Sequence, residues 1–318
     1  MDDEREMSYR EKWEKEYQRR LRYRKVILAR IVVGAVGLLL LVLLIIGAGK
    51  LVKLVGKRQQ EGSVAEASKS RKETENLYDN VYVPEGYETY FQQLKELQKE
   101  YKEVDVILRN LAEYPEEYLE MLLENPETLD YVKDYPEHKH DTKEGKITEE
   151  VVKGEIPLLN QWDGRWGYLS YGDSKLAWNG CGPTALSMVV IGLTGDTSYT
   201  PKTIAEFSEK NGYYEKDTGT VWGLMSQGAA EFGLNITNVP LSEDAIIREL
   251  EEKKPIICSM MPGDFTDYGH FIVLTGLDEE GNVLVNDPNS IARSEKAWKL
   301  DAIVSQIKGL WSYSLAST

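Results

Sequence analysis

The sequence predicts an α+β domain, in which helices pack on an antiparallel sheet, preceded by a transmembrane helix and a helical stalk. Three observations lead to this prediction. A glycine-flanked cysteine, Cys181, opens an apolar helix, and short apolar strands joined by tight turns follow it. Residues 31–49 are apolar and uncharged. The acidic stretch 84–154 repeats apolar residues at helical spacing. We therefore place the folded domain at residues 155–318.

Charge is unevenly distributed along the 318 residues, whose net charge is −15. Residues 1–60 contain 14 Lys and Arg against 7 Asp and Glu, whereas the rest of the chain is acidic. An acidic domain repels the phosphate backbone of DNA and RNA. The composition therefore excludes an electrostatic nucleic-acid-binding surface, and we expect no nucleic-acid partner.

The N-terminal region has the composition of a membrane anchor. The uncharged run 31–49 is bounded by Arg30 and Lys50, is long enough to span a bilayer, and exceeds the apolar core of a typical signal peptide. Basic residues are more numerous on the N-terminal flank, so the tail 1–30 should be cytoplasmic and the following domain extracellular. The polar residues 50–83 are interpreted as a linker. The sequence leaves open whether the apolar segment is cleaved.

Residues 84–154 predict an acidic stalk or subdomain of short helices. Apolar residues recur at spacings of three and four, and two segments begin with proline followed by acidic residues, a typical helix start. Tyr135-Pro136 is expected to end the series. A packing role is favoured over a binding role. In the following loop His138 and His140 lack partners at ligand spacing, so we expect both to be exposed and expect no metal site.

Cys181 lies in the stretch Trp178-Asn179-Gly180-Cys181-Gly182-Pro183-Thr184. Pro183 suits a first helical turn because its missing N–H has no helical partner there. Residues 185–193 continue the helix, and Gly195 is expected to end it. A thiol at a helix N-terminus lies at the positive end of the helix dipole, which favours the nucleophilic thiolate. From this stretch alone, a buried and unreactive cysteine is an equally good interpretation.

The remaining elements of the domain are predicted from caps, glycines and apolar runs. The predicted helices are Pro201 to about Lys210 after the cap Thr200, Val221 to Phe232, a helix from the cap Ser242 to near Lys253, and a short helix around 301–307. The predicted strands are 256–260, 271–277 opened by His270, 283–285 and about 310–314, with a turn at 278–282. Cys258 lies inside the first strand and is interpreted as a core residue, so a disulfide with Cys181 is ranked low.

One histidine, His270, occurs in residues 155–318, at the junction of a loop and a strand. An antiparallel hairpin places the end of the return strand beside the start of the preceding strand. Asp287 should therefore lie next to His270 and accept its imidazole N–H. Taken singly, a core histidine and a turn residue before proline are the alternatives. Taken together with a cysteine at a helix start, they favour a catalytic triad of Cys181, His270 and Asp287.

The order of these three residues resembles the papain-like cysteine peptidases. More narrowly, the chain resembles the peptidases related to bacteriocin-processing (double-glycine leader) proteases over about residues 155–315. The motifs that carry the resemblance are Ile156-Pro157-Leu158-Leu159-Asn160-Gln161-Trp162-Asp163, Gly180-Cys181-Gly182-Pro183-Thr184, Gly269-His270-Phe271-Ile272-Val273-Leu274 and Asn286-Asp287-Pro288. The resemblance implies a papain-like domain with a catalytic-cysteine helix and a sheet carrying histidine and aspartate. It also implies that Gln161 supplies the oxyanion hole together with the Cys181 backbone N–H. An insertion between Gly167 and Asn179 separates the two here.

The sequence thus predicts a membrane-anchored, extracellular cysteine peptidase that hydrolyses peptide bonds through a thioester intermediate. The expected partners are the membrane, contacted through residues 31–49, and a peptide or protein substrate, which includes cell-wall peptides. No cofactor is expected. Two alternatives stay open. One is a cell-wall amidase or endopeptidase with the same triad, and the other is a non-catalytic peptide-binding module. Because the chain has one predicted span and no Gly-Lys-Ser/Thr phosphate-binding loop, leader processing coupled to export is not assigned.

Overall fold

A computed structural model describes residue 78 and residues 80–316 of the chain. The predicted cytoplasmic tail, transmembrane helix and most of the linker lie outside the described residues. The chain divides into two units after Asp79, and all elements given below belong to the second unit. Within the described part, no helix has both the length and the apolar character needed to cross a bilayer.

Residues 80–141 form a helical subdomain. Its elements are α1 (Glu88–Leu97), α2 (Val104–Arg109), a 3₁₀ turn at Leu111–Glu113, α3 (Glu116–Glu124), a 3₁₀ turn at Pro126–Thr128, α4 (Leu129–Lys133) and α5 (Tyr135–His138). Its buried aliphatic core includes Leu94, Val104, Ile107, Leu108, Leu119, Leu122 and Val132. The predicted short helices are therefore present. However, Pro136 does not end the series, because it lies in the first turn of α5, where its missing N–H has no helical partner.

The C-terminal domain, residues 155–316, contains the predicted mixture of helices and sheet. Its helices are α6 (Leu176–Asn179), α7 (Cys181–Thr194), α8 (Pro201–Lys210), α9 (Glu243–Glu251), α10 (Ile291–Glu295) and α11 (Leu300–Val304). Two small hairpins pair β1 (Ser170–Tyr171) with β2 (Ser174–Lys175), and β3 (Tyr214–Glu215) with β4 (Gly219–Thr220). The main sheet consists of β5 (Leu234–Asn238), β6 (Ile256–Met260), β7 (His270–Leu277), β8 (Val283–Asn286) and β9 (Ile307–Leu315).

The main sheet is antiparallel and has the strand order β5-β9-β6-β7-β8. Strands β7 and β8 form the predicted hairpin, and Gly281 in its turn has φ 77°, a conformation that glycine adopts without steric cost. The register pairs Met260 with His270 and Val273 with Asn286. The start of β7 and the end of β8 therefore lie at the same end of the sheet, as the hairpin prediction requires.

Two apolar cores cover the two faces of the main sheet. Alternate side chains of a strand point to opposite faces. Ile257 and Val273 accordingly join one core with α7 and α8, whereas Cys258 and Ile272 join the other core with α9 and α11. Every residue of α7 from Gly182 to Gly192 is buried. Packing on all sides therefore fixes α7, and with it the position of its first residue.

The predicted caps are confirmed at three helices. The Thr200 hydroxyl accepts a hydrogen bond from the N–H of Thr203 at the start of α8, and Ser242 accepts one from Ala245 at the start of α9. Gly195 follows α7 in the left-handed conformation with φ 80°. These interactions join residues no more than four positions apart, so the local sequence determines them.

The prediction of a regular α-helix at residues 221–232 is wrong. The structure has a π-helical turn there, Leu224–Gly228, rather than a regular helix of twelve residues. The N–H of Gly228 donates to the carbonyl of Gly223, five positions back, and the Tyr213 ring packs against both glycines. Because Gly223 and Gly228 lack a β-carbon, the Tyr213 ring can pack against them and the backbone can form the wider π-helical turn. An apolar sequence pattern does not reveal this arrangement.

The last predicted helix and strand meet at a different residue than expected. The helix ends at Val304, because Ile307 already pairs with Met260 as the first residue of β9. Strand β5, helix α10 and both small hairpins were not predicted. They are short, and their sequences do not show a sustained apolar period.

Aromatic side chains join the helical subdomain to the C-terminal domain. The ring of Tyr118 makes a T-shaped contact with Trp178 at a centroid distance of 4.8 Å, and the ring of Tyr131 makes another at 6.2 Å. Tyr131 also stacks on Tyr168 at 4.4 Å, and its hydroxyl donates to the carbonyl of Gly167. The helical subdomain therefore packs on the C-terminal domain, and these aromatic contacts fall on the insertion that precedes Cys181.

Close packing beside the cysteine makes Gly182→Ala a test of the fold. A β-carbon at Gly182 would lie 2.7 Å from the buried side chain of Thr220, so the substitution should lower the free energy of unfolding by ~1–3 kcal/mol, as overpacking does. Urea unfolding measures the effect. Gly276→Ala is the control, since a β-carbon at Gly276 meets nothing within 4 Å. Equal destabilisation by both substitutions would contradict this packing.

Candidate active site

Cys181 is the first residue of α7, as predicted. A β-carbon at the preceding Gly180 would overlap the carbonyl of Leu176, so only glycine lets the chain turn this tightly from α6 into α7. Both cysteines are free thiols, but Cys181 is partly exposed whereas Cys258 is buried. Burial raises the pKa of the Cys258 thiol and keeps it protonated. Of the two, Cys181 is therefore the thiol that a substrate can reach.

His270 and Asp287 form a buried hydrogen-bonded pair. Nε2 of His270 donates to Oδ1 of Asp287 over 2.7 Å. Asp287 is 0% exposed and His270 is 8% exposed. Cys181 lies close enough to the imidazole to contribute to its raised pKa. Because Asp287 occupies Nε2, Nδ1 is the ring nitrogen left to face the thiol. The structure thus places His270 against Asp287, with Cys181 near enough to act on the imidazole.

The charges around this pair set its protonation. Burial alone would lower the pKa of His270, but the charge and hydrogen bond of Asp287, together with the nearby Cys181, outweigh it and raise the pKa. Burial alone would raise the pKa of Asp287, but His270 and Arg293 hold it below its ordinary value. Both shifts favour the imidazolium and the carboxylate over the neutral forms.

The residues that surround Asp287 were not predicted from the sequence. Nε of Arg293 donates to Oδ2 over 2.5 Å, and the N–H of Asn289 donates to Oδ1 over 2.8 Å. The backbone N–H of Asp287 donates to Oγ of Ser294 over 2.8 Å. Arg293 and Ser294 belong to α10. The available signal was Ser290, a typical cap, whose Oγ accepts from the N–H of Arg293.

Gln161 lies close to the cysteine helix despite the insertion. Its backbone N–H donates to the carbonyl of Pro288 over 2.8 Å. Its side-chain nitrogen donates to the carbonyls of Ala177 and Trp178, over 2.7 and 3.3 Å, in the turn that leads to Cys181. Its side-chain oxygen is buried and has no hydrogen-bond partner within the described residues. The insertion folds as the β1–β2 hairpin and α6, and so returns the chain to Gln161.

The histidines outside this site differ in exposure. His140 is exposed as expected, but His138 is only partly exposed because its ring stacks on Tyr168 at 5.0 Å and its Nδ1 pairs with Asp141 over 2.8 Å. Among residues 80–316, no group of three or more His, Cys, Asp and Glu side chains is arranged to hold a metal ion.

This arrangement suits nucleophilic attack by sulfur. A thiol at the start of a helix faces an imidazole whose protonated form is stabilised, and a buried carboxylate fixes the orientation of that imidazole. Such a set can transfer the thiol proton to nitrogen and return it to a leaving group.

Comparisons with known proteins give the family. Residues 153–316 match the family described as Peptidase_C39 like. Among solved structures, one match is the peptidase domain of Streptococcus ComA, a bi-functional ABC transporter involved in a quorum sensing pathway. The two are 19% identical with a TM-score of 0.36, over 52% of this chain and 100% of that one. No match was found among curated proteins. Because the family match covers more than half of its residues, this chain belongs to the Peptidase_C39 like family and is a cysteine peptidase.

Proposed function

We propose that this protein is a membrane-anchored, extracellular cysteine peptidase that cleaves peptide bonds with a triad of Cys181, His270 and Asp287. The observation that carries the proposal is the buried hydrogen bond of 2.7 Å between His270 and Asp287, beside the thiol at the start of α7. A cysteine nucleophile needs a base, and the base needs a group that orients it. Each of these roles has one residue here.

The proposed reaction has two stages. Cys181 passes its proton to Nδ1 of His270, and the sulfur attacks the carbonyl carbon of the substrate amide. The imidazolium then protonates the departing amine, which leaves a thioester on Cys181. In the second stage His270 takes a proton from water, and the hydroxide attacks the thioester to release the carboxylic acid and the thiol. Throughout, Asp287 holds the Nε2–H and stabilises the imidazolium.

Gln161 is proposed to bind the oxyanion together with the backbone N–H of Cys181. Support comes from its position beside the turn that leads into Cys181, where its side-chain nitrogen donates to the carbonyls of Ala177 and Trp178. The role requires one of these N–H groups to turn from its carbonyl to the substrate oxygen. Preorganised N–H donors at this position stabilise the negative charge that develops on the carbonyl oxygen.

The membrane anchor and the extracellular location of the domain rest on sequence. Residues 31–49 have the length and apolarity of a span, and basic residues predominate on its N-terminal side. An epitope placed after Thr318 tests the location. Antibody binding to intact cells supports an extracellular domain, whereas binding only after permeabilisation would contradict it.

Alkylation by iodoacetamide tests the triad without a known substrate. Cys181 in the full-length chain should react at mildly acidic pH, around pH 6, because protonated His270 stabilises the thiolate. Mass spectrometry distinguishes labelling of Cys181 from labelling of the buried Cys258. Reactivity at this pH should disappear in His270→Ala. A wild-type Cys181 that stays unlabelled at this pH would overturn the proposed function.

The substrate class is tested by incubating the full-length protein with a random peptide library and with peptidoglycan fragments. We expect cleavage of library peptides. Cleavage confined to peptidoglycan fragments would instead assign the protein as a cell-wall amidase or endopeptidase. Cleavage of neither, together with an unreactive thiol, would indicate a peptide-binding module.

A further inference from the structure

The Asp287 segment, residues 287–293, receives hydrogen bonds from outside the C-terminal domain. Nδ2 of Asn125, in the helical subdomain, donates to the carbonyl of Asn289 over 2.8 Å. The Glu127 carboxylate accepts hydrogen bonds from the N–H groups of Ile291 and Ala292, each over 2.8 Å. These contacts join residues more than 160 positions apart, and they fall on the segment that holds the candidate catalytic acid.

The helical subdomain contacts residues that donate to the Asp287 carboxylate, or residues next to them in the chain. Asn289, whose carbonyl accepts from Asn125, uses its own N–H to donate to Oδ1 of Asp287. Ala292 immediately precedes Arg293, whose Nε donates to Oδ2. Each oxygen of the carboxylate therefore has a hydrogen-bond partner in residues 289–293, the stretch that the helical subdomain contacts.

Glu127 is itself held in place. Its backbone N–H donates to Oδ1 of Asn125 over 3.2 Å, at the start of the 3₁₀ turn Pro126–Thr128. Thr128 is fully buried, and its hydroxyl donates to the carbonyl of Asn125. Ser290 adds a hydrogen bond of 3.3 Å to the Glu127 carboxylate. The two side chains therefore present a preformed pair of acceptors and a donor to the segment.

The C-terminal domain holds the same segment only in part. The N–H of Gln161 donates to the carbonyl of Pro288, and Nε1 of Trp162 donates to that of Asn289 over 3.4 Å. Neither contact reaches Ile291 or Ala292, and the C-terminal domain holds Arg293 through Nε1 of Trp298, which donates to its carbonyl over 2.9 Å. Loss of the helical subdomain contacts should therefore loosen residues 291–292, which lead into Arg293, and leave the chain path on either side in place.

We propose that Asn125 and Glu127 are positioning residues for Asp287, acting through residues 289–293, so that docking of the helical subdomain is coupled to peptidase turnover. The inference rests on the proposed function, because it assigns to Asp287 the role of orienting His270. It gives the acidic helical region a role in catalysis, which differs from spacing the domain or binding substrate.

The expected consequence follows from the groups around His270. Cys181, Asp287 and, through Asp287, Arg293 are the titratable or charged groups that act on its imidazole. A misplaced carboxylate stabilises the imidazolium less, which favours the neutral thiol and imidazole over the thiolate and imidazolium. A misplaced carboxylate also orients the imidazole less well towards the thiol, so alkylation of Cys181 should slow roughly 3- to 10-fold.

The test uses Glu127→Gln and Asn125→Asp in the full-length chain. Glu127→Gln keeps one acceptor oxygen and loses the other, and Asn125→Asp keeps the acceptor for Glu127 but loses the donor to Asn289. Glu124→Gln is the matched control, since Glu124 is an exposed residue at the end of α3 whose side chain makes no hydrogen bond or ion pair within the described residues. The probes are iodoacetamide and a quenched fluorescent peptide obtained from the library screen.

Both variants should alkylate Cys181 roughly 3- to 10-fold more slowly than wild type at about pH 6 and lower kcat by about 10-fold, with KM changed less than about twofold. Glu124→Gln should match wild type. Thermal unfolding checks that the chains are folded. If Glu127→Gln does not fold, Asn125→Asp, which removes a single donor, decides the question.

Three outcomes would overturn the inference. Wild-type alkylation and kcat in both folded variants would show that the contacts do not position Asp287. A rise in KM at constant kcat and constant alkylation would assign the helical subdomain to substrate binding. A wild-type Cys181 that does not react at all would overturn the proposed function, and this inference with it.

Discussion

Cys181→Ala should abolish peptide hydrolysis, lowering kcat/KM by about 10³-fold or more. The substitution removes the sulfur that forms the thioester, and no other group near the carbonyl carbon can replace it. Binding of substrate should persist, because the partly exposed thiol contributes little to the walls of a cleft. A continuous assay with a quenched fluorescent library peptide measures turnover, and fluorescence anisotropy of a labelled peptide measures binding.

Cys258→Ala is the matched control for that experiment. Cys258 is the second thiol of the chain and is buried in β6, so its loss should destabilise the fold by ~1 kcal/mol through a small cavity and leave kcat/KM unchanged. Turnover at the wild-type rate by Cys181→Ala would contradict the assignment of the nucleophile. Loss of turnover in Cys258→Ala, with a folded chain, would contradict it as well.

The local features of the fold were predictable from the sequence. The start of α7 at Cys181, its end before Gly195 and the cap Thr200 each depend on residues within one or two helical turns. The hairpin of β7 and β8 was predictable for the same reason, since its turn lies between two apolar runs with Gly281 at its tip. Such features follow from backbone propensity and the period of apolar residues.

The sequence did not reveal features that depend on contacts distant in the chain. The π-helical turn at Leu224–Gly228 depends on Tyr213, which packs against two glycines of that segment. Strand β5 is recognisable only through its pairing with β9, about 75 positions later. An apolar pattern predicts one helix or strand at a time and does not indicate which distant strand or side chain packs against it.

The same distinction applies to the candidate site. His270 and Asp287 were predictable as neighbours because a single hairpin joins them, and the structure places their side chains 2.7 Å apart. Arg293 was not predicted, although it lies only six positions after Asp287, because the short helix α10 brings it back to the carboxylate. Glu127 could not be predicted, because it lies 164 positions before Ile291 and only the folded chain brings it to α10.

The assembled contacts indicate why the catalytic acid can be fully buried. A carboxylate removed from water is destabilised unless hydrogen bonds and charges replace its hydration. Asp287 has His270 and the Asn289 N–H on one oxygen and Arg293 on the other. The arrangement keeps the carboxylate ionised and gives it one orientation towards the imidazole.

Asp287→Asn should lower kcat/KM by ~10³–10⁴-fold, with KM little changed. The asparagine amide can present its N–H₂ group to Nε2 of His270, where the carboxylate accepted a hydrogen bond. The neutral imidazole would then carry its proton on Nδ1, the nitrogen that must accept the proton of Cys181. A substitution of nearly the same shape thereby blocks proton transfer, and steady-state kinetics with the library peptide measures the loss.

The same variant should change how stability depends on pH. The lowered pKa of Asp287 contributes stability above its unfolded value of about 3.9 and loses it as the pH falls through the folded value. The raised pKa of His270 contributes stability below its unfolded value of about 6.5 and loses it as the pH rises through the folded value. Asp287→Asn removes both contributions, so the difference from wild type should be largest between about pH 4 and 6.5.

Urea unfolding of both chains at about pH 5.5 and 9 tests this dependence, since the difference in unfolding free energy should shrink at the higher pH. Asp278→Asn is the control, because Asp278 lies in the β7–β8 turn, away from His270 along the strands, and its carboxyl is ionised at both pH values. That variant should keep full activity and show a difference that does not vary between the two pH values. A pH-independent difference for Asp287→Asn would mean that His270 and Asp287 are not electrostatically coupled. The carboxylate would then hold the segment through Arg293 and Asn289 alone.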